Sequence, residues 1–68
     1  MNFITGDIEE IYVEDGTAIA RVNVRGAMVR VPLTFLLEAK VGDTILIESG
    51  VAISKVEPEQ AQELHKEP

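Results

Sequence analysis

Apolar and polar positions alternate along most of this chain, the period-two signature of strands with one buried face. Ile8, Ile11 and Val13 open the pattern, and the period slips between Ile8 and Ile11, which predicts a bend or bulge in the first strand. Asp15-Gly16 then marks a tight turn between apolar segments. Beyond it Ala18, Ala20, Val22 and Val24 alternate with Ile19, Arg21, Asn23 and Arg25. After Gly26-Ala27, Val29, Val31 and Leu33 alternate with Met28, Arg30 and Pro32. A type II′ turn with Gly26 first predicts Val24 opposite Val29, Val22 opposite Val31, and Asn23 opposite Arg30. Pro32 has no amide hydrogen and marks an edge position or the end of pairing.

Residues 34–39 break the alternation and read as one helical turn capped by Thr34. Val41-Gly42-Asp43 turns into a strand over 44–48, with Ile45 and Ile47 on one face. Ser49-Gly50 separates it from a last strand over 51–56. Pro58 opens a short helix with Glu59 and Glu63 toward its start and His65 and Lys66 near its end, the charge order a helix dipole favours. Ala61 and Leu64 give that helix a narrow apolar stripe. The expected fold class is mainly β: a small closed or nearly closed barrel of about five strands over residues 1–57, with residues 58–68 a C-terminal helical segment of the same domain.

Composition narrows the function. At 68 residues the chain makes one small domain, and with only Phe3, Tyr12 and Phe35 as aromatics its core must be Val, Ile, Leu and Ala. Having no cysteine excludes disulfides, thiolate metal sites and cysteine nucleophiles. A single histidine, His65, makes no multi-histidine site. The net charge of −6 argues against a nucleic-acid partner, which needs cationic surface. No apolar run approaches the ~20 residues of a membrane span. Residues 1–4 lack the basic region of a secretory signal, so the expected location is the cytoplasm.

Catalytic chemistry finds little support. Asp7, Glu9, Glu10, Glu14 and Asp15 read as a solvated acidic face. Ser49 and Ser54 have no histidine nearby in sequence, and the five glycines are dispersed at turns, not gathered into a phosphate loop. No catalytic residue, resident metal or cofactor is expected, and the protein is not expected to be an enzyme. Arg21, Arg25 and Arg30 share an outer face, which is either a site for an anionic partner or a solubilising face paired with local carboxylates. Phe3 and Ile4 lie at a chain end, and the segment Met1-Asn2-Phe3-Ile4-Thr5 either fills the core as a first strand or adds to a partner.

Taken in order, several pieces resemble the HypC/HupF hydrogenase-maturation chaperones. They are Gly6-Asp7-Ile8, Ala20-Arg21-Val22-Asn23-Val24 with Gly26, Val31-Pro32-Leu33, Lys40-Val41-Gly42-Asp43, and Ile47 with Gly50-Val51-Ala52-Ile53. The resemblance runs from about Gly6 to Ala61. It implies a small β-barrel of OB-like topology with a C-terminal helix. It also implies binding to a HypD-like scaffold and/or a hydrogenase large subunit, as in members that escort iron with its cyanide and carbonyl ligands. The family begins Met-Cys-x-x-x-Pro, and here Asn2 stands where the thiol would be, with Thr5 near the proline position. Glu48 stands where members commonly carry a histidine, and Val51 replaces an aromatic. An amide is a poor iron ligand beside a thiolate, so the implied role is protein–protein binding through Met1, Asn2, Phe3, Ile4, Thr5 and Glu48. Two alternatives follow from the architecture: an OB-like nucleic-acid-binding module, or a non-catalytic domain that forms homo-oligomers.

Overall fold

The computed structural model describes residues 3–56. Five strands form one antiparallel sheet: β1 (Phe3–Glu14), β2 (Thr17–Val24), β3 (Ala27–Pro32), β4 (Thr44–Glu48) and β5 (Val51–Val56). Their order across the sheet is β3-β2-β1-β4-β5. β1 is long enough to serve two hairpins. Its first part pairs with β4, from Phe3 opposite Glu48 to Asp7 opposite Thr44. Its remainder pairs with β2, from Asp7 opposite Asn23 to Glu14 opposite Thr17. The expected bulge lies where the register shifts between Ile8 and Glu10, close to the point at which β1 passes from one neighbour to the other.

Each hairpin turns through two residues with positive φ: Asp15 and Gly16 (53° and 79°), Arg25 and Gly26 (55° and 91°), Ser49 and Gly50 (56° and 77°). Such turns carry the twist that flanking strands require, and glycine takes the second position in all three. The middle turn corrects the register expected for β2 and β3. The loop is Arg25-Gly26, not Gly26-Ala27, so Val24 faces Ala27, Val22 faces Val29, Asn23 faces Met28 and Arg21 faces Arg30. The two registers differ by two residues, which leaves every side chain on its expected face. The Asn23 side chain helps to select the observed turn, its Oδ1 accepting a 2.8 Å hydrogen bond from the Gly26 N–H.

The core holds Ile8, Ala20, Val22, Val31, Leu33, Leu36, Ala39, Ile45, Ile47 and Ala52. Ile45 and Ile47 are buried together, as their alternation predicts. Ile19 departs from the pattern. It sits among the outward alternates yet is 2% exposed, held between its cross-strand neighbours Tyr12 and Pro32.

The segment between β3 and β4 is not the helical turn expected over 34–39. It is a chain of tight turns closed by i→i+3 bonds: Leu36 N–H to Leu33 O at 3.0 Å, Ala39 N–H to Leu36 O at 3.2 Å, and Asp43 N–H to Lys40 O at 3.0 Å. The three-residue spacing sends Leu33, Leu36 and Ala39 into the core and leaves Phe35 and Leu37 in solvent. The last turn is tied to the bend of β1, where Gly42 N–H donates to Ile8 O and Ile8 N–H donates to Asp43 O, both at 2.9 Å.

Among the described residues the sheet does not close into the expected barrel. Its edges, β3 and β5, are not hydrogen-bonded to each other. Pro32 lies on the edge strand β3, the Leu33 N–H still reaches Ala18 O at 2.9 Å, and the chain then leaves the sheet through the turns that follow. The helix expected over 58–68 lies outside the described residues.

Asp43 clamps the turn that leads into β4. Its Oδ2 accepts the Lys40 N–H at 2.9 Å and lies 3.4 Å from Lys55 Nζ. The Lys40 bond, and then the Lys55 charge, hold this carboxyl below the usual aspartate range. A carboxyl depressed in the folded state adds stability above the ordinary aspartate pKa of about 3.9, and that contribution is lost as pH falls through the lower, folded value. Asp43→Ala is therefore expected to be less stable than wild type near neutral pH, with the gap narrowing below about pH 4. Urea midpoints measured across that range check it, and a pH-independent gap refutes the assignment.

Candidate partner-binding site

The structure brings together most of the residues singled out at the chain start. Phe3 sits directly opposite Glu48, Ile4 opposite Ile47 and Thr5 opposite Leu46. These pairs join residues more than forty positions apart in sequence, and only the β1–β4 register makes them neighbours. Met1 and Asn2 lie outside the described residues.

Strand alternation sorts the side chains into two sets. Gly6 and Ile8 are buried, which puts Ile4 on the core face at its solvent end, 40% exposed. Phe3, Thr5 and Asp7 take the outer face, with Glu48, Leu46 and Thr44 beside them on β4. Phe3 is 52% exposed, a large aromatic surface for a domain with three aromatic residues. Asp7 is held by the Thr44 hydroxyl, which donates to its Oδ1 at 2.7 Å.

Beyond Asp7 toward the chain start, β2 no longer pairs with β1. An open cleft of ≈ 420 Å³ occupies the space, lined by residues 3–7 of β1 and residues 23–26 of the β2–β3 hairpin, with Thr44 of β4 also reaching it. Gly6 sets how closely the walls approach at the cleft's inner end. A Cβ there would lie 2.5 Å from Val22 Cγ1, 2.8 Å from Val24 Cγ2 and 2.9 Å from Asn23 O. Sequence reasoning missed Gly6 and the 23–26 wall as parts of this site. An isolated glycine inside an apolar alternation was the available signal, because it marks a close backbone approach.

The outer arginines are largely satisfied. Arg21 pairs with Glu10 at 3.4 Å and Arg30 with Glu14 at 2.7 Å, so that part of the arginine face meets the carboxylates of β1. The Glu14 hydrogen bond and charge hold the Arg30 guanidinium above its ordinary pKa. Arg25, at the tip of the β2–β3 hairpin and on the cleft wall, has no carboxylate at ion-pair distance among the described residues.

Among the described residues no polar or charged side chain is buried, and no group of three His, Cys, Asp or Glu stands close enough to hold a metal ion. The cleft offers an aromatic ring, an isoleucine edge, main-chain groups, the Thr5 and Thr44 hydroxyls, the Asn23 amide, the Asp7 carboxylate and the Arg25 guanidinium. Comparison with protein families decides the context, because the HupF/HypC family profile matches residues 4–67. The chain belongs to the HupF/HypC family. HupF/HypC proteins are hydrogenase-maturation chaperones and not catalysts, which ties this chain to hydrogenase maturation. The match covers β1 from Ile4 onward and every other strand of the sheet, and so both walls of the cleft except Phe3. A search of curated proteins gives no match. Among the described residues no helix is long and apolar enough to cross a membrane.

Proposed function

We propose that this HupF/HypC protein works in the cytoplasm as a binding chaperone for a HypD-like scaffold and/or a hydrogenase large subunit. In this reading the start of β1, with Glu48 beside it, is the contact element. The observation that carries it is the register that sets Phe3, its ring half exposed, opposite Glu48, with Ile4 and Thr5 following on the same strand. Exposed aromatics that bury in a partner's pocket commonly dominate binding energy. Asn2 and Glu48 supply no thiolate or imidazole to the iron, which is cargo in this pathway, so the protein's part is to hold the polypeptide that carries it. Co-purification from the native host, with mass spectrometry of partners and metal analysis of the complex, tests the reading. The expected result is a maturation scaffold or a large subunit bound to this chain. Recovery of neither refutes it.

A further inference from the structure

Taking that contact site as the starting point, we infer that the open side of β1 binds its partner by strand addition, receiving an extended segment that carries a carboxylate for Arg25. The directions of the main-chain groups carry the inference. Ile8 turns both its N–H and its C=O toward Asp43 and Gly42, on the β4 side. The pairing from Phe3 to Asp7 runs on without a shift, so alternation turns the main-chain groups of Ile4 and Gly6 to the β4 side as well. Those of Phe3 and Thr5 therefore point the other way. β2 uses that side only from Asp7 onward. Phe3 and Thr5 thus present two N–H and two C=O groups to the cleft, where no strand meets them among the described residues.

An exposed ladder of this kind is a template for another strand. Its far wall names the chemistry of the visitor. The chain carries a net charge of −6, yet the guanidinium on this wall is Arg25, which among the described residues lacks the carboxylate partners that Arg21 and Arg30 have; the carboxylate that also lines the cleft, Asp7, is bonded to the Thr44 hydroxyl and forms no ion pair with it. An incoming strand with an acidic side chain satisfies both the main-chain groups and that charge.

The test uses the full chain, isotopically labelled, titrated with the capped pentapeptide Thr-Val-Glu-Val-Thr and with versions carrying Gln or Lys in place of Glu. The expected result is saturable shifts of the Phe3, Thr5 and Gly26 amides, with the Glu peptide binding at least threefold tighter than the Gln peptide and the Lys peptide weakest. Thr5→Pro deletes an N–H that faces the cleft, not β4, so it should keep the wild-type unfolding midpoint and weaken the Glu peptide at least fivefold. Should Thr5→Pro fold poorly, an alternately N-methylated Glu peptide interrogates the same bonds on the natural chain and should not bind.

Absence of saturable shifts, equal binding by Thr5→Pro or by the Gln peptide, or shifts centred elsewhere would overturn strand addition. So would a wild-type dimer that Thr5→Pro returns to monomer, because a second copy would then be the occupant. Loss of the host partners in co-purification removes the chaperone reading without touching these titrations, so the two failures are separable.

Discussion

Gly6→Ala is expected to lower the stability of the domain by about 1–3 kcal/mol, the usual cost of forcing an extra methyl into a filled space. The new Cβ meets the tips of Val22 and Val24 and, at 2.9 Å, the Asn23 carbonyl oxygen. Valine tips can rotate, but the Asn23 backbone belongs to the β1–β2 ladder and can move only by loosening it. A domain this small has only a few kcal/mol to lose, so the effect should be plain in a urea titration. Val22→Ala made in the Gly6→Ala background should restore part of the loss. The cycle over both positions should then show a favourable coupling, since the two changes share one contact. A Gly6→Ala penalty below about 0.5 kcal/mol would mean that β1 and β2 separate freely at this point.

Phe3→Ala should weaken capture of the maturation partner about 30-fold while leaving the unfolding midpoint nearly unchanged. The first expectation takes a buried aromatic anchor as worth about 2 kcal/mol in binding, at about 1.4 kcal/mol per tenfold. The second follows from exposure: a ring 52% in solvent at the end of β1 contributes little to the core. Quantitative pull-down or calorimetry on the co-purified partner measures it. Binding within threefold of wild type removes Phe3 from the contact element. Ile4→Ala is a useful contrast, because Ile4 borders the core and should cost both stability and capture.

The register between β2 and β3 shows how far local pattern reaches. Alternation assigned each valine to its face, and those faces hold, yet it carries only the parity of the pairing. Choosing between registers two residues apart needed the turn itself, where Arg25 accepts a left-handed conformation and Asn23 bonds back to Gly26. The 33–43 segment is a similar case. Its loss of alternation was legible, but tight turns and one helical turn share the three-residue spacing of Leu33, Leu36 and Ala39. The bulge in β1, by contrast, announced itself as a slipped period, because a strand with one buried face cannot shift phase without an extra residue.

From residues alone came the β class, the strand sequence, the turns at Asp15-Gly16 and Ser49-Gly50, the aliphatic core and the interest of Phe3, Ile4, Thr5 and Glu48. All of these rest on local periodicity, turn chemistry or motif order, which need no knowledge of distant neighbours. Tertiary structure alone decided that Phe3 faces Glu48, that Gly6 lies against Val22, and that β2 departs from β1, leaving one side of Phe3 and Thr5 without a strand among the described residues. Those are consequences of which strands become neighbours, and pairing between distant segments is set by the packing of the whole sheet.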